Sequence, residues 1–332
     1  MRRGALTFLL FALTVPVAAQ ELKLPNEDGS VKFAVLGDTG TGGSDQIGIA
    51  KQVAAFRQKF QFDFVLLLGD NLYGSENPRD YQRKFEIPYK PLLDAGVKFY
   101  AALGNHDDPG QRQYKLFNMN GERYYSFKPS LTAGVRFFAL DSNYMDPMQI
   151  EWLEKELAGS GSDWKIPFFH HPLYASGRHG SDEILRKQLE PIFVKHGVNV
   201  VFTGHEHFYE RIKPQKGIQY FVAGASAKLR RGDIDPNPFT AFGYDQGFSF
   251  MLIEIAGDEM FFQVVDMNGR TVDSGVVLKG ENDKVIGTAG RGNPKPAAVP
   301  AKPAPQNGPA KPAQAAPAKP EPAKPEPAKP AR

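Results

Sequence analysis

The sequence predicts a layered α/β domain. Two observations carry that expectation: short apolar runs alternate with helix-like stretches from about residue 31, and after Gly217 the pattern turns mostly to strands. A third observation bears on what the domain holds, because five of the apolar runs end in blocks rich in Asp, Asn or His.

Not all of the 332 residues belong to that domain. Residues 291–332 hold thirteen of the 27 prolines, eight Lys or Arg and two Glu, a composition that cannot bury enough apolar surface to form a core. This tail is expected to be a disordered, extended spacer or tether. Its lysines could make weak contact with anionic envelope polymers, although a solvated linker is the simpler expectation. At the other end, Arg2 and Arg3 precede an apolar run from Ala5 to Val17, and Val17-Ala18-Ala19 precedes Gln20. Residues 1–19 therefore read as a cleavable signal peptide. A membrane anchor is the alternative, but the run is short for a span and contains Pro16. The expected mature protein is a soluble monomer, secreted or periplasmic, with its domain over residues 20–290.

The tail and the two N-terminal arginines account for more than the whole formal charge of +3, which leaves the domain net negative. A basic nucleic-acid groove is not expected on such a surface. The absence of cysteine excludes a disulfide scaffold, a thiolate metal site and a cysteine nucleophile.

Taken in order, Val31 to Leu36 reads as a strand. Asp45 to Phe60 reads as a helix with Ile47, Ala50, Val53, Ala54 and Phe56 inward. Strands follow at Phe64 to Leu68, Val97 to Leu103, Val135 to Leu140, Ile166 to Phe169 and Val198 to Phe202. Ser181 can cap a helix with Asp182 and Glu183 in its first turn, a stripe of Ile184, Leu185, Leu189, Ile192 and Phe193, and a kink at Pro191. Further strands are expected at Ile218 to Val222, Phe248 to Ile255, Met260 to Val265 and Thr271 to Leu278.

The strand-end blocks are Gly37-Asp38-Thr39-Gly40, Gly69-Asp70-Asn71-Leu72-Tyr73, Gly104-Asn105-His106-Asp107, His170-His171-Pro172 and Gly204-His205-Glu206-His207. In α/β sheets, sites gather outside the carboxyl ends of strands, so these loops can converge although they lie far apart in the chain. Gly-Asp-x-Gly alone is as consistent with a turn as with a ligand. The distribution of histidine is more telling, since six of seven lie in or near these blocks and only His196 belongs to an ordinary helix end.

The five blocks, in this order, resemble the purple acid phosphatase branch of the calcineurin-like metallophosphoesterases, tartrate-resistant acid phosphatases included. The likeness covers roughly residues 31–280, and Tyr73, three residues after Asp70, distinguishes this branch from relatives without a tyrosine ligand. The resemblance implies an αββα fold, a β-sandwich flanked by helices. It also implies a binuclear metal centre: Fe(III) on Asp38, Tyr73, His207 and one oxygen of Asp70, and a divalent Fe, Zn or Mn ion on the other oxygen of Asp70, Asn105, His170 and His205. A hard trivalent ion suits carboxylate and phenolate, and a softer divalent ion suits imidazole and an amide oxygen.

The implied activity is hydrolysis of small phosphomonoesters by hydroxide generated between the two ions. His106 and His179 resemble the family's substrate-site histidines, which contact phosphate and protonate the leaving oxygen; for each, a purely orienting role is the alternative. Tyr73 could instead be a packing aromatic, and Asp107 could orient an imidazole or cap a turn. His171 departs from the family pattern and carries no assignment. Two other functions remain open at this point: a phosphodiesterase with the same bimetal chemistry, or an envelope-binding protein whose degenerate phosphoesterase domain carries the Lys-rich tail.

Overall fold

The computed structural model describes residues 21–131 and 133–280. The expected signal segment 1–19, the end of the 20–290 domain and the tail 291–332 lie outside the described residues. The chain lays down β1 (Val31–Leu36), β2 (Phe64–Leu67) and β3 (Lys98–Ala101) in a first sheet. It crosses to a second for β4 (Tyr125–Phe127), β5 (Val135–Ala139), β6 (Trp164–Phe169), β7 (Val200–Thr203), β8 (Tyr209–Ile212), β9 (Gln219–Ala223) and β10 (Thr240–Tyr244). It then returns to the first sheet with β11 (Ser249–Ala256), β12 (Glu259–Asp266) and β13 (Thr271–Leu278).

The sheet orders are β13-β12-β11-β1-β2-β3 and β10-β8-β9-β7-β6-β5-β4. Within the first, β1, β2 and β3 run parallel, with Phe33 opposite Phe64 and Phe64 opposite Lys98. Within the second, β5, β6, β7 and β9 run parallel. The helices are α1 (Ser44–Arg57), α2 (Pro78–Tyr81), α3 (Ile87–Asp94), α4 (Pro147–Ala158) and α5 (Glu183–His196), with a π-helical turn at Gln82–Glu86 joining α2 to α3.

The strand pattern explains the layering. Alternate residues of a strand point to opposite faces, and in β1 both sets are apolar: Phe33 and Val35 enter the core between the sheets, while Ala34 and Leu36 pack with Ile49, Val53 and Phe56 of α1. Between the sheets, Phe33 stacks on Phe64 at 5.2 Å between ring centroids and meets Phe137 edge-on at 5.1 Å. On the outer face of the second sheet, Phe138, Phe169 and Val201 pack with Leu153 and Leu157 of α4 and with Leu185, Leu189 and Phe193 of α5. The result is the expected αββα sandwich.

Several local expectations need correction. The inward face of α1 is Gln46, Ile49, Ala50, Val53 and Phe56, and Ile47 is 38% exposed, because the helical phase set by Ala50, Val53 and Phe56 continues to Ile49 and not to Ile47. In α5, Ile184 is 75% exposed, Asp182 caps through its bond from the Leu185 amide, and Ser181 instead accepts from the Ala175 amide at 3.1 Å. The helix runs on through Pro191. Strand β8 escaped notice because Glu210 and Arg211 interrupt its apolar pattern. Both are satisfied internally: Arg211 pairs with Asp273 at 2.8 Å, and Glu210 accepts from the Ser176 amide at 2.9 Å.

Candidate metal centre

The carboxyl ends of β1, β2, β3, β6 and β7 lead into the five polar blocks. Three residues there hold left-handed backbone: Asp38 (φ 56°), Asp70 (φ 51°) and His205 (φ 71°). Side-chain-bearing residues rarely adopt this region, and such strain persists only where the surroundings over-determine it. Each follows a glycine. At two of the block glycines the requirement is close approach: a Cβ on Gly104 would collide with the Asp70 backbone and carboxylate, and one on Gly204 would stand 2.7 Å from Asp38 Oδ2.

The first cluster gathers around Asp38. The Tyr73 hydroxyl donates to Asp38 Oδ1 at 3.0 Å, His207 Nε2 lies 3.3 Å from the same oxygen, and Tyr73 Oη and His207 Nε2 are 3.4 Å apart. Asp70 shares this group: one ligand atom from each of Asp38, Asp70 and His207 lies within 4.8 Å of the others. Asp38 and Asp70 are buried. Burial, and then the neighbouring Asp70 charge, pushes the Asp38 carboxyl well above its ordinary value. Burial and the two carboxylates likewise push the Tyr73 phenol upward. Burial lowers His207 to about 4. A bound cation reverses the cost of ionising the Asp38 carboxyl and the Tyr73 phenol.

Tyr73 owes its position to backbone grips. Its amide donates to the Gly40 carbonyl at 2.9 Å, and its own carbonyl accepts from Lys84 Nζ at 2.7 Å. Lys84 is buried, comes from the π-helical turn, and also donates to the Ser75 carbonyl. Local helix widening of this kind recurs at functional sites.

The second cluster gathers around Asn105. His170 Nε2 and His205 Nδ1 each lie 3.0 Å from Asn105 Oδ1 and 3.1 Å from each other, and His170 Nε2 is 3.4 Å from Asp70 Oδ1. The Leu68 carbonyl, 2.9 Å from His170 Nδ1, can only accept. That bond assigns the proton of the neutral ring to Nδ1. Burial keeps the ring neutral by lowering its pKa well below the ordinary value, so Nε2 presents a lone pair. Asn105 Oδ1 presents another. Two lone pairs face one another at 3.0 Å with no proton between them, and a cation resolves that repulsion. Asp70 belongs to both clusters, and the combined set of carboxylate, phenol, imidazole and amide oxygen donors fits two adjacent ions.

All seven residues expected as ligands from the sequence thus converge. Of the two histidines expected at a substrate site, exposed His106 donates its amide to Asp70 Oδ1 at 3.0 Å and holds its ring centroid 5.0 Å from that of Tyr73. His179 approaches from the loop before α5, its ring 4.5 Å from His205. His171 lies 4.6 Å from the His205 ring, with Nδ1 2.9 Å from Ser142 Oγ. It lines a cavity of about 470 Å³ shared with Asn105, Asn143 and Tyr144. Asp107 fulfils the capping alternative: its carboxylate accepts from the amides of Asn71 (3.1 Å), Leu72 (3.0 Å) and Gly104 (2.8 Å), which ties the loop after β2 to the loop after β3.

Sequence reasoning missed Lys84, Glu206, Lys228 and Arg230 as contributors. Lys228 Nζ stands 4.4 Å from the Tyr73 ring centroid, and Arg230 bonds both His179 and Glu206. A signal existed in Lys228-Leu229-Arg230-Arg231, a cationic run in a net negative domain.

Comparison with known proteins finds related chains. A family model described as calcineurin-like phosphoesterase matches residues 31–209, more than half of the chain. Purple acid phosphatase 17 of Arabidopsis thaliana is 28% identical over 319 residues, spanning 83% of this chain and 94% of that protein. Tartrate-resistant acid phosphatase type 5 of Homo sapiens is 25% identical over 311 residues, spanning 78% and 95%. Among solved structures, a purple acid phosphatase from yellow lupin seeds shares the fold with a TM-score of 0.65 at 19% identity, over 78% of this chain and 56% of that one.

Proposed function

The chain belongs to the calcineurin-like phosphoesterases, and from that premise we propose that it is a bimetal acid phosphatase of the purple type, acting on small phosphomonoesters outside the cytoplasm. The observation that carries the proposal is the pair of donor clusters joined at Asp70, one containing a tyrosine phenol. Asp38, Tyr73, His207 and Asp70 would hold Fe(III). Asp70, Asn105, His170 and His205 would hold a divalent ion. The N-terminal sequence supports export.

Held by these residues, the two ions would supply Lewis acidity and lower the pKa of water at the site. The chain's own residues do the remainder. Lys228 draws the dianionic substrate toward the Asp38 cluster, since its charge lies on the rim. His106 and His179 offer ring N–H groups from opposite loops to the phosphoryl oxygens and to the leaving oxygen as its bond to phosphorus breaks. The Asp107 clasp fixes the loops of Asp70 and Asn105, so His106, next to Asn105, is placed without rearrangement during reaction. No side chain is required as the nucleophile.

The test is metal analysis of the purified full-length protein together with turnover of an aryl phosphomonoester and an aryl phosphodiester. Two ions per chain, at least one of them iron, and preference for the monoester are expected. Preference for the diester would move the reading to a phosphodiesterase. Metal-free, inactive protein would move it to a binding scaffold.

A further inference from the structure

Glu206 stands between the two histidines His205 and His207, yet it is fully buried and faces neither donor cluster. Its Oε1 accepts the amides of His179 and Gly180, each at 2.9 Å, and its Oε2 is 3.4 Å from Arg230 Nη1. The loop wraps the carboxylate so closely that a Cβ on Gly177 would lie 2.6 Å from Oε2. Arg230 is anchored by its own amide, which donates to the His207 carbonyl at 3.0 Å. Its Nη1 then reaches His179 Nδ1 at 3.1 Å.

That last contact has one chemical reading. A guanidinium in a protein stays protonated and has no acceptor, and the Glu206 Oε2 that also faces Nδ1 stands at 3.6 Å, beyond hydrogen-bond distance, so His179 Nδ1 is the acceptor. The proton of the neutral ring is then on Nε2, at the edge away from Arg230. His170 shows the opposite arrangement, since the Leu68 carbonyl holds its proton on Nδ1 and leaves Nε2 as a lone pair. One histidine is set to bind a cation and the other to donate to an anion, each by the partner on its far nitrogen.

We propose that Arg230 and Glu206 are positioning residues that hold His179 as an Nε2–H donor to the phosphoryl group of the substrate. Glu206 fixes the loop, and Arg230 fixes the tautomer and the ring. The inference rests on the phosphatase reading above and extends it to residues outside the donor clusters.

The test is a double-variant cycle on the metal-loaded full chain: His179→Ala, Arg230→Gln and the combination, with Arg230→Lys alongside. Each is assayed for kcat and KM on an aryl phosphate, for inhibition by inorganic phosphate, and for metal content. His179→Ala should lower kcat/KM about tenfold to a hundredfold, the worth of a hydrogen bond to a charged group. Arg230→Gln should lower it several-fold with two ions retained, and the double variant should be no worse than His179→Ala, because residues acting through one another are not additive. Arg230→Lys should recover part of the loss seen in Arg230→Gln, since both contacts of Arg230 come from the one nitrogen Nη1 and an ammonium carries donors for each. Losses that multiply in the double variant, metal loss in Arg230→Gln, or full activity of Arg230→Gln or of His179→Ala would each overturn the inference. An inactive wild-type protein would sink the phosphatase reading and this inference together, whereas an active wild type with multiplying losses sinks this inference alone.

Discussion

The buried ammonium of Lys84 donates to the carbonyl oxygen of Tyr73 at 2.7 Å. The π-helical turn that carries Lys84 is therefore tied to the residue whose hydroxyl reaches Asp38. A further contact to Asp80 at 3.4 Å compensates the buried charge.

Replacing Lys84 with Met keeps most of the aliphatic stem and removes the grip. We expect Lys84→Met to lower Tm by roughly 5–10 °C, as loss of a buried paired charge does in a domain of this size, and to weaken iron retention. Unchanged Tm and metal content would show that the Gly40 carbonyl alone fixes Tyr73.

Asp70 is the one residue shared by both clusters. Asp70→Ala should therefore lose both ions, read as metal per chain after gel filtration. Retention of two ions would remove the bridging role.

Tyr73→Phe deletes one oxygen and keeps the ring. If the phenolate binds Fe(III), the oxidised wild type should absorb in the visible through phenolate-to-iron charge transfer, and the variant should lose that band with part of its iron. An identical spectrum in both proteins would reduce Tyr73 to a packing aromatic. A colourless wild type fully active with zinc or manganese would remove Fe(III) from the proposal while leaving phosphoester hydrolysis intact.

Lys228 stands over the Tyr73 ring, 4.4 Å from its centroid. Lys228→Ala should raise KM for an aryl phosphate about threefold to tenfold at low salt while kcat changes less, and added salt should narrow the gap. A fall in kcat at constant KM would point instead to a transition-state role.

The acid limb of stability can be isolated in chelated protein. Burial lowers His207 to about 4 from its ordinary 6.5, so the folded state resists a proton that the unfolded chain accepts. Its contribution is present above pH 6.5 and is lost as pH falls toward 4. Asp38, raised by burial and by Asp70, works in the opposite direction, which makes the informative comparison one between chelated wild type and chelated His207→Asn. Between pH 7 and 5 the variant should gain about 2 kcal/mol relative to wild type. Parallel unfolding curves across that range would contradict the assignment.

The sequence by itself determined the layered fold and the polar blocks that converge at one edge, because both are written locally; the choice of seven ligands within those blocks came from the family resemblance. Apolar runs mark the strands, and Asp, Asn and His placed directly after them mark the edge where parallel strands end. Even β1 and β13 have the bounds that their residues predict, Val31–Leu36 and Thr271–Leu278. Strand β8 was hidden because its charged residues are neutralised only by partners distant in the chain, Asp273 for Arg211 and the Ser176 amide for Glu210. Ile47 and Ile184 looked like core residues because composition does not reveal which helical face meets the sheet. The tertiary structure alone decided which ring nitrogen of His170 and of His179 carries the proton. The Leu68 carbonyl turns a lone pair of His170 toward the donor cluster, and Arg230 leaves His179 with an N–H, since a hydrogen-bond partner's lone pairs or protons, and not the histidine's place in a motif, select the tautomer.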